Sequence, residues 1–223
     1  MRWHCSLPGV LAAVCLAVFA VPAMPQAGAN DEGYLAWTEK QAEAIGTGVY
    51  QRGRVGGFFD VRMLKTERAY NYKLAATWLT PEAIRATARL LQLRSRLSDD
   101  ETRALVAEAE SASGTAVMIE IDPREGSGII PNDWDALLQP KGRPGHVVRG
   151  TISPQLRRVQ ALAGGRRRNY DYDRFWVTFP LQLQDGAPLF SSVDQVVELI
   201  VRIVGQEGRV EWPIPDSVRS TLK

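Results

Sequence analysis

Large apolar side chains alternate with polar or small ones between residues 69 and 79. A period of two sends successive side chains to opposite sides of a strand, so this pattern predicts a β-strand with one buried face. An aromatic face of this kind is more often part of a core than a platform for stacking sugars. The predicted face carries Tyr70, Tyr72, Leu74, Ala76 and Trp78.

Two helices are predicted directly after this strand. Thr80 is a suitable N-cap, and Pro81 fits the first helical position because its missing N–H has no partner to lose there. Ser98 followed by Glu101 is the pattern of a capping box at the start of a second helix. Both stretches have apolar residues at helical spacing, so we expect a helical hairpin that ends near Gly114.

Short strands dominate the remainder of the chain. Long irregular connections separate them, where a parallel sheet would have regular crossover helices. The sequence therefore predicts an α+β fold, mainly an antiparallel sheet or sandwich with the helical hairpin packed on one side. The strand candidates are residues 117–121, 147–152, 175–179, 197–203 and, after a turn at 205–208, residues 209–212.

The region before the first strand has a different character. Residues 31–45 have helical spacing of apolar positions, whereas glycines recur between residues 46 and 57 and indicate a loop. We therefore expect an N-terminal helix and a Gly-rich linker over residues 30–57, and a single α+β domain over residues 58–223.

Residues 1–29 have the composition of a secretory signal peptide. Arg2 provides a positive charge, residues 10–21 are continuously apolar, and small residues precede a cleavage position after Ala29, with Ala23 as the alternative. Twelve helical residues extend about 18 Å, short of a hydrocarbon core about 30 Å thick. We therefore expect cleavage, export and no transmembrane segment in the mature chain.

Loss of this segment changes the chemistry that the mature chain can use. Cys5 and Cys15 leave with it, which excludes disulfides, a cysteine nucleophile and thiolate metal sites. Export without disulfides indicates a bacterial periplasm or medium rather than an animal secretory pathway. The formal charge falls from +2 to +1 with the loss of Arg2, so we expect no nucleic acid or anionic membrane as partner.

An unusual charged and aromatic segment stands before the strand at residues 175–179. Arginine forks suit oxyanions and tyrosine faces suit stacking, so this segment is a candidate surface for an anionic or sugar ligand. The alternative is a solvated turn whose charges pair with each other. The binding candidates are Arg166, Arg167, Arg168, Tyr170, Asp171, Tyr172, Asp173 and, within the strand, Trp176. Trp176 packs against the helices if that strand is central and is exposed if it is an edge.

Other candidate chemistry is weaker. Asp122 and Glu125 follow a predicted strand, where a carboxylate for hydrolysis is often found. Asp171 and Asp173 lack the further oxygen ligands of a calcium loop. His146 is the sole histidine of the mature chain, and no Gly-x-Ser-x-Gly elbow is present, so a serine triad is not indicated.

These observations favour an exported, non-catalytic binding protein without a metal or cofactor, whose partner is an envelope protein or polymer. A carboxylate-based hydrolase acting on envelope polymers is the first alternative. A periplasmic carrier of a small ligand is the second, and it requires an apolar cavity between helices and sheet.

Overall fold

The computed structural model describes residues 33–52, 72–111, 114–123, 133–162, 173–203 and 206–220. The helices are α1 (Glu39–Arg52), α2 (Pro81–Ser95), α3 (Asp99–Glu110) and α4 (Asp216–Ser220). The strands are β1 (Tyr72–Leu79), β2 (Thr115–Pro123), β3 (Asp135–Pro140), β4 (Val148–Arg149), β5 (Thr151–Ile152), β6 (Asp173–Phe179), β7 (Val196–Ile203) and β8 (Gln206–Pro213). Short 3₁₀ helices occupy Gly33–Ala36, Pro154–Arg158 and Gln160–Leu162.

The strands form two four-stranded sheets. One sheet, called the helix-side sheet, has the order β1-β2-β6-β5, and the other, the outer sheet, has the order β4-β3-β7-β8. Every pairing between these strands is antiparallel. The α+β prediction, with an antiparallel sandwich and helices on one side, is therefore confirmed.

Aromatic side chains fill the space between the two sheets. Trp78 from β1 contacts Trp212 from β8, with ring centroids 6.0 Å apart, and Phe190, with centroids 6.3 Å apart. The indole N–H of Trp78 donates to the Thr115 hydroxyl at 2.7 Å, so its polar atom is satisfied inside the core. This interior is the larger apolar cluster of the protein, and burial of its area is the main force that holds the sheets together.

A second apolar layer lies between the helix-side sheet and the helices. Leu79, Met118 and Trp176 on the sheet pack in one cluster with Ile84 of α2 and Val106 of α3. Both faces of the helix-side sheet are therefore covered. The expectation of one buried face was correct for Leu74, Ala76 and Trp78, but the opposite face is covered as well, because the helices pack on it.

The predicted helix starts are confirmed. The Thr80 hydroxyl accepts the Ala83 N–H, and Pro81 occupies the first turn of α2. At α3, the Ser98 hydroxyl accepts the Glu101 N–H at 3.2 Å, while the Glu101 carboxylate accepts the Ser98 N–H at 2.7 Å. Local sequence alone determines these ends, since each cap satisfies backbone donors that the helix leaves open.

The first helix differs from its prediction at both ends. α1 begins at Glu39, later than the pattern indicates, and it continues through Gly46 and Gly48, where we expected a loop. Glycine costs about 1 kcal/mol relative to alanine inside a helix, which packing can offset. Val49 packs against the sandwich core, and its carbonyl accepts the Trp212 indole N–H at 3.3 Å.

Residues 147–152, predicted as one strand, are divided between the two sheets. β4 pairs with β3 in the outer sheet, and β5 pairs with β6 in the helix-side sheet. Gly150 lies between them, and its N–H donates to the Ala136 carbonyl at 2.8 Å. A Cβ at Gly150 would overlap the Val177 side chain and the Phe179 ring, so the chain crosses between the sheets where only glycine fits.

Candidate functional site

Most of the predicted binding segment lies outside the described residues. Asp173 and Trp176 are described, and both belong to β6. The candidates outside the described part of the chain are Arg166, Arg167, Arg168, Tyr170, Asp171 and Tyr172.

The first two residues of β6 are exposed and charged. Asp173 lies opposite Ile121 of β2, and Arg174 lies opposite Glu120. The Arg174 Nε is 3.4 Å from the Glu120 carboxylate, whose side chain is only 1% exposed. Arg174 therefore compensates a carboxylate that is buried under the sheet surface.

Trp176 lies inside the protein. β6 is a central strand, between β2 and β5, and the Trp176 ring packs in the cluster beneath the helices. Its indole N–H donates to the Leu162 carbonyl at 2.8 Å, and its own carbonyl accepts the Ser153 N–H at 2.8 Å. Trp176 thus holds both ends of residues 153–162 with hydrogen bonds.

The segment that Trp176 holds carries two adjacent arginines, Arg157 and Arg158, at the end of a 3₁₀ helix. We call them the arginine turn. Both side chains are exposed, whereas Leu156 just before them and Leu162 beyond them are buried against the helix-side sheet. The backbone of the turn is fixed from below, so both guanidinium groups project from a rigid base.

The arginine turn differs from the other arginines in its bonding. Most described arginine side chains bind a carboxylate or a carbonyl of the protein. Among the arginine side chains that the structure describes, Arg96, Arg157 and Arg158 make no hydrogen bond or ion pair. The two arginines of the turn therefore have all their donors available to another molecule.

A pocket of about 350 Å³ lies at the point where the chain crosses between the sheets. We call it the crossover pocket. It combines apolar core side chains with an exposed aliphatic one, since Ala136 and Val177 are buried and Ile152 is 44% exposed. Its lining comprises Trp134, Asp135, Ala136, residues 149–152 and Val177.

The walls of the crossover pocket are held in place by packing and by charge. The Trp134 ring meets the Phe175 ring edge to face, with centroids 5.0 Å apart. Arg149 forms an ion pair with Asp135, and both lie on the lining. Ile152 pairs with Val177 in β5–β6, so the exposed aliphatic side chain extends from a paired strand.

A second polar group occupies the loops before β4 and β7. We call Arg143, His146, Ser191 and Asp194 the Arg143 cluster. The Arg143 guanidinium donates to the Asp194 carboxylate at 2.7 Å, to the Ser191 hydroxyl at 3.2 Å and, through its other terminal nitrogen, to His146 Nε2 at 2.8 Å. The Asp194 carboxylate also accepts the Ser191 N–H at 2.7 Å and hydroxyl at 2.8 Å.

The Arg143 cluster contains serine, histidine and aspartate but lacks the geometry of a triad. Arg143 lies between His146 and the other two residues, so the imidazole contacts a guanidinium rather than the serine hydroxyl. Burial raises the pKa of Asp194, but the hydrogen bonds from Ser191 and the charge of Arg143 outweigh it, and the pKa of this carboxyl lies below its ordinary value. The cluster joins two loops and keeps Asp194 ionised.

Of the four candidate carboxylates for hydrolysis, two belong to described strands. Asp122 belongs to β2 and Asp173 begins β6, while Glu125 and Asp171 lie outside the described part. No group of three or more His, Cys, Asp or Glu in the described part is placed to hold a metal ion. None of the described helices has the length and apolar character needed to span a bilayer.

The crossover pocket and the arginine turn are the functional features that sequence reasoning did not identify. One signal was available for the second: the chain has no acidic residue between Asp135 and Asp171, although it has eight lysines and arginines there. No family model, no curated protein and no solved structure matches this chain. Its function is therefore argued from the geometry alone.

Proposed function

We propose that this protein is an exported binding module that receives an apolar side chain of an envelope partner in the crossover pocket. The observation that carries the proposal is the pocket itself, with the exposed Ile152 on its lining. An apolar lining with a few polar groups beside it is the composition typical of a binding pocket.

The size of the pocket supports a small occupant. Ligand sites range from about 300 to 1,000 Å³, so a volume of about 350 Å³ lies at the low end. That volume suits one side chain of a partner better than a large cofactor. Asp135 and Arg149 supply polar atoms beside the apolar lining, which is the combination that orients a bound group.

Packing elsewhere supports action at the surface rather than carriage of a ligand inside. Trp78 contacts both Phe190 and Trp212 between the sheets, and Met118 and Trp176 are buried between sheet and helices. A carrier would require an apolar cavity in that second layer, where Met118 and Trp176 are buried in one apolar cluster with residues of the helices.

A charge placed in the pocket tests the site. Ile152→Asp puts a carboxylate on the lining, and Val193→Asp is the matched control because Val193 is 76% exposed in the loop before β7 and is not part of the lining. Each variant is crosslinked in cells, recovered from the envelope fraction and compared by quantitative mass spectrometry. We expect one stoichiometric partner with the wild type and with Val193→Asp, and its loss with Ile152→Asp.

Two results would count against the proposal. Equal recovery of the partner with both variants would remove the crossover pocket from the interaction. Turnover of glycoside, ester or peptide substrates by the purified protein would favour the hydrolase alternative, and single amide replacements of Asp122, Glu125, Asp171 and Asp173 would then identify its carboxylates.

Export has its own test. The apolar run of residues 10–21 and the small residues before Asn30 support cleavage after Ala29. Mass spectrometry of the protein recovered from the envelope or the medium should find Asn30 as the first residue. Recovery of the intact chain, with Met1 retained, would contradict this part of the proposal.

A further inference from the structure

We propose that the arginine turn extends the crossover pocket into a site for an acidic peptide segment, whose apolar side chain enters the pocket while its carboxylates bind Arg157 and Arg158. This inference rests on the proposed function, because the pocket supplies the apolar half of the same site. It adds the chemical class of the partner.

Rigid placement is the first requirement for such a site, and Trp176 provides it. Ser153 and Leu162, the two ends of residues 153–162, are both hydrogen-bonded to Trp176 at 2.8 Å. Three backbone hydrogen bonds between these ends, at 3.0–3.2 Å, complete the two 3₁₀ helices. The turn is therefore preorganised, which lowers the entropy that binding must overcome.

Free donors are the second requirement. Elsewhere, Arg143, Arg202 and Arg209 are bound to carboxylates of the protein itself. Within the described part of the chain, the guanidinium groups of Arg157 and Arg158 have no such partner, although each can donate up to five hydrogen bonds. The surrounding sequence from residue 136 to 170 contains no acid that competes for them.

The spacing fits a short extended peptide. From Ile152 to Arg157 the chain makes two extended steps and then three steps of 3₁₀ helix, so their Cα atoms are at most about 13 Å apart. An extended peptide covers that distance in about four residues. We therefore expect the acidic residues of the partner within about four positions of its apolar residue.

An apolar pocket together with two arginines favours a peptide over a polyanion. A guanidinium fork matches a carboxylate in two parallel hydrogen bonds, and two adjacent arginines match a short acidic run. The lining of the crossover pocket includes Ala136, Val177 and Ile152, and an anionic polysaccharide or nucleic acid has no aliphatic side chain to fill it.

Selection from a random heptapeptide library tests the inference on protein expressed from the full chain. Bound peptides are sequenced, and the affinities of the enriched ones are measured for three variants. Ile152→Asp alters the pocket, and Arg157→Ala with Arg158→Ala removes two positive charges from the turn. Arg96→Glu is the matched control, because it changes the net charge by the same amount at another unpaired arginine.

The expected result is a set of peptides with one aliphatic residue and two or more acids nearby. Their affinity should fall about fivefold or more for the double arginine variant, and for Ile152→Asp, but stay unchanged for Arg96→Glu. Peptides that depend on Ile152 but show no acidic bias and ignore Arg157 and Arg158 would overturn this inference and leave the proposed function standing. Peptides whose affinity does not change with Ile152→Asp would overturn both this inference and the proposed function. A selection that enriches no peptide would do the same.

Discussion

Arg143 and the arginine turn lie on two connections of the chain, before β4 and after β5, but they use their guanidinium groups in opposite ways. Arg143 donates to Asp194, Ser191 and His146. Arg157 and Arg158 donate to no atom of the protein within the described residues. In both places the backbone is held firmly, by loop contacts in the first case and by Trp176 in the second.

The difference shows what distinguishes a structural arginine from an available one. Asp194 is buried, so its charge needs Arg143 as compensation, and the guanidinium is committed to the fold. Among the described residues, no buried carboxylate pairs with Arg157 or Arg158, which leaves their donors for a partner. Substitutions at the first site should therefore affect stability, and substitutions at the second should affect binding.

The largest stability effect is expected from Arg143→Ala. It leaves the Asp194 carboxylate, 6% exposed, without its cation, and it removes three hydrogen bonds. The free energy of unfolding, measured in urea, should fall by about 2–3 kcal/mol. A change below about 0.5 kcal/mol would show that the cluster is not structural.

Trp176→Phe should cause the second-largest loss of stability. Phenylalanine keeps most of the apolar contact in the helix-covered layer but has no donor for the Leu162 carbonyl, which accepts the indole N–H at 2.8 Å. We expect a loss of about 1–2 kcal/mol in the free energy of unfolding. We also expect faster amide hydrogen exchange at residues 156–162, and unchanged exchange there would contradict the role of Trp176 in holding the turn.

The pH dependence of stability separates the two regions further. The folded-state pKa of Asp194 lies below its unfolded-state value, so its contribution is complete above about pH 3.9 and is lost as the pH falls through the folded-state pKa. Wild type should lose more unfolding free energy between pH 7 and pH 3 than Asp194→Asn. Equal losses in the two proteins would show that Asp194 does not contribute to acid unfolding.

The smallest stability effect is expected at the arginine turn. Arg157→Ala and Arg158→Ala remove exposed side chains that have no partner among the described residues, so each should change the free energy of unfolding by less than about 0.5 kcal/mol. A loss near that of Arg143→Ala would mean that these arginines stabilise the fold and would weaken their assignment as binding groups.

Local features were predictable from the sequence and long-range ones were not. The starts of α2 and α3 follow from Thr80 and Ser98, because a cap involves residues only three positions apart. β3 was missed, since Asp135–Pro140 shows no clear alternation and becomes a strand by pairing with β7, far away in the sequence. The continuation of α1 through Gly46 likewise depends on packing, which the spacing of apolar residues does not predict.

The candidate site shows the same limit. The crossover pocket joins Trp134, Gly150 and Val177, which meet because the chain changes sheets at Gly150. The charge bias around Arg157 is visible in the sequence, but whether an arginine is paired depends on tertiary contacts. Trp176 was predicted to pack against the helices if its strand is central and to be an exposed contact residue if the strand is an edge. The strand is central, and Trp176 packs against the helices.

The most direct test of the distinction between paired and available arginines is the salt dependence of peptide binding. The dissociation constant of a selected acidic peptide is measured at low and at high salt for wild type, for Arg157→Ala with Arg158→Ala, and for Arg96→Glu. Wild type and Arg96→Glu should bind more weakly as salt rises, while the double variant should bind weakly with little salt dependence. Wild-type affinity and salt dependence in the double variant would contradict the assignment of the arginine turn.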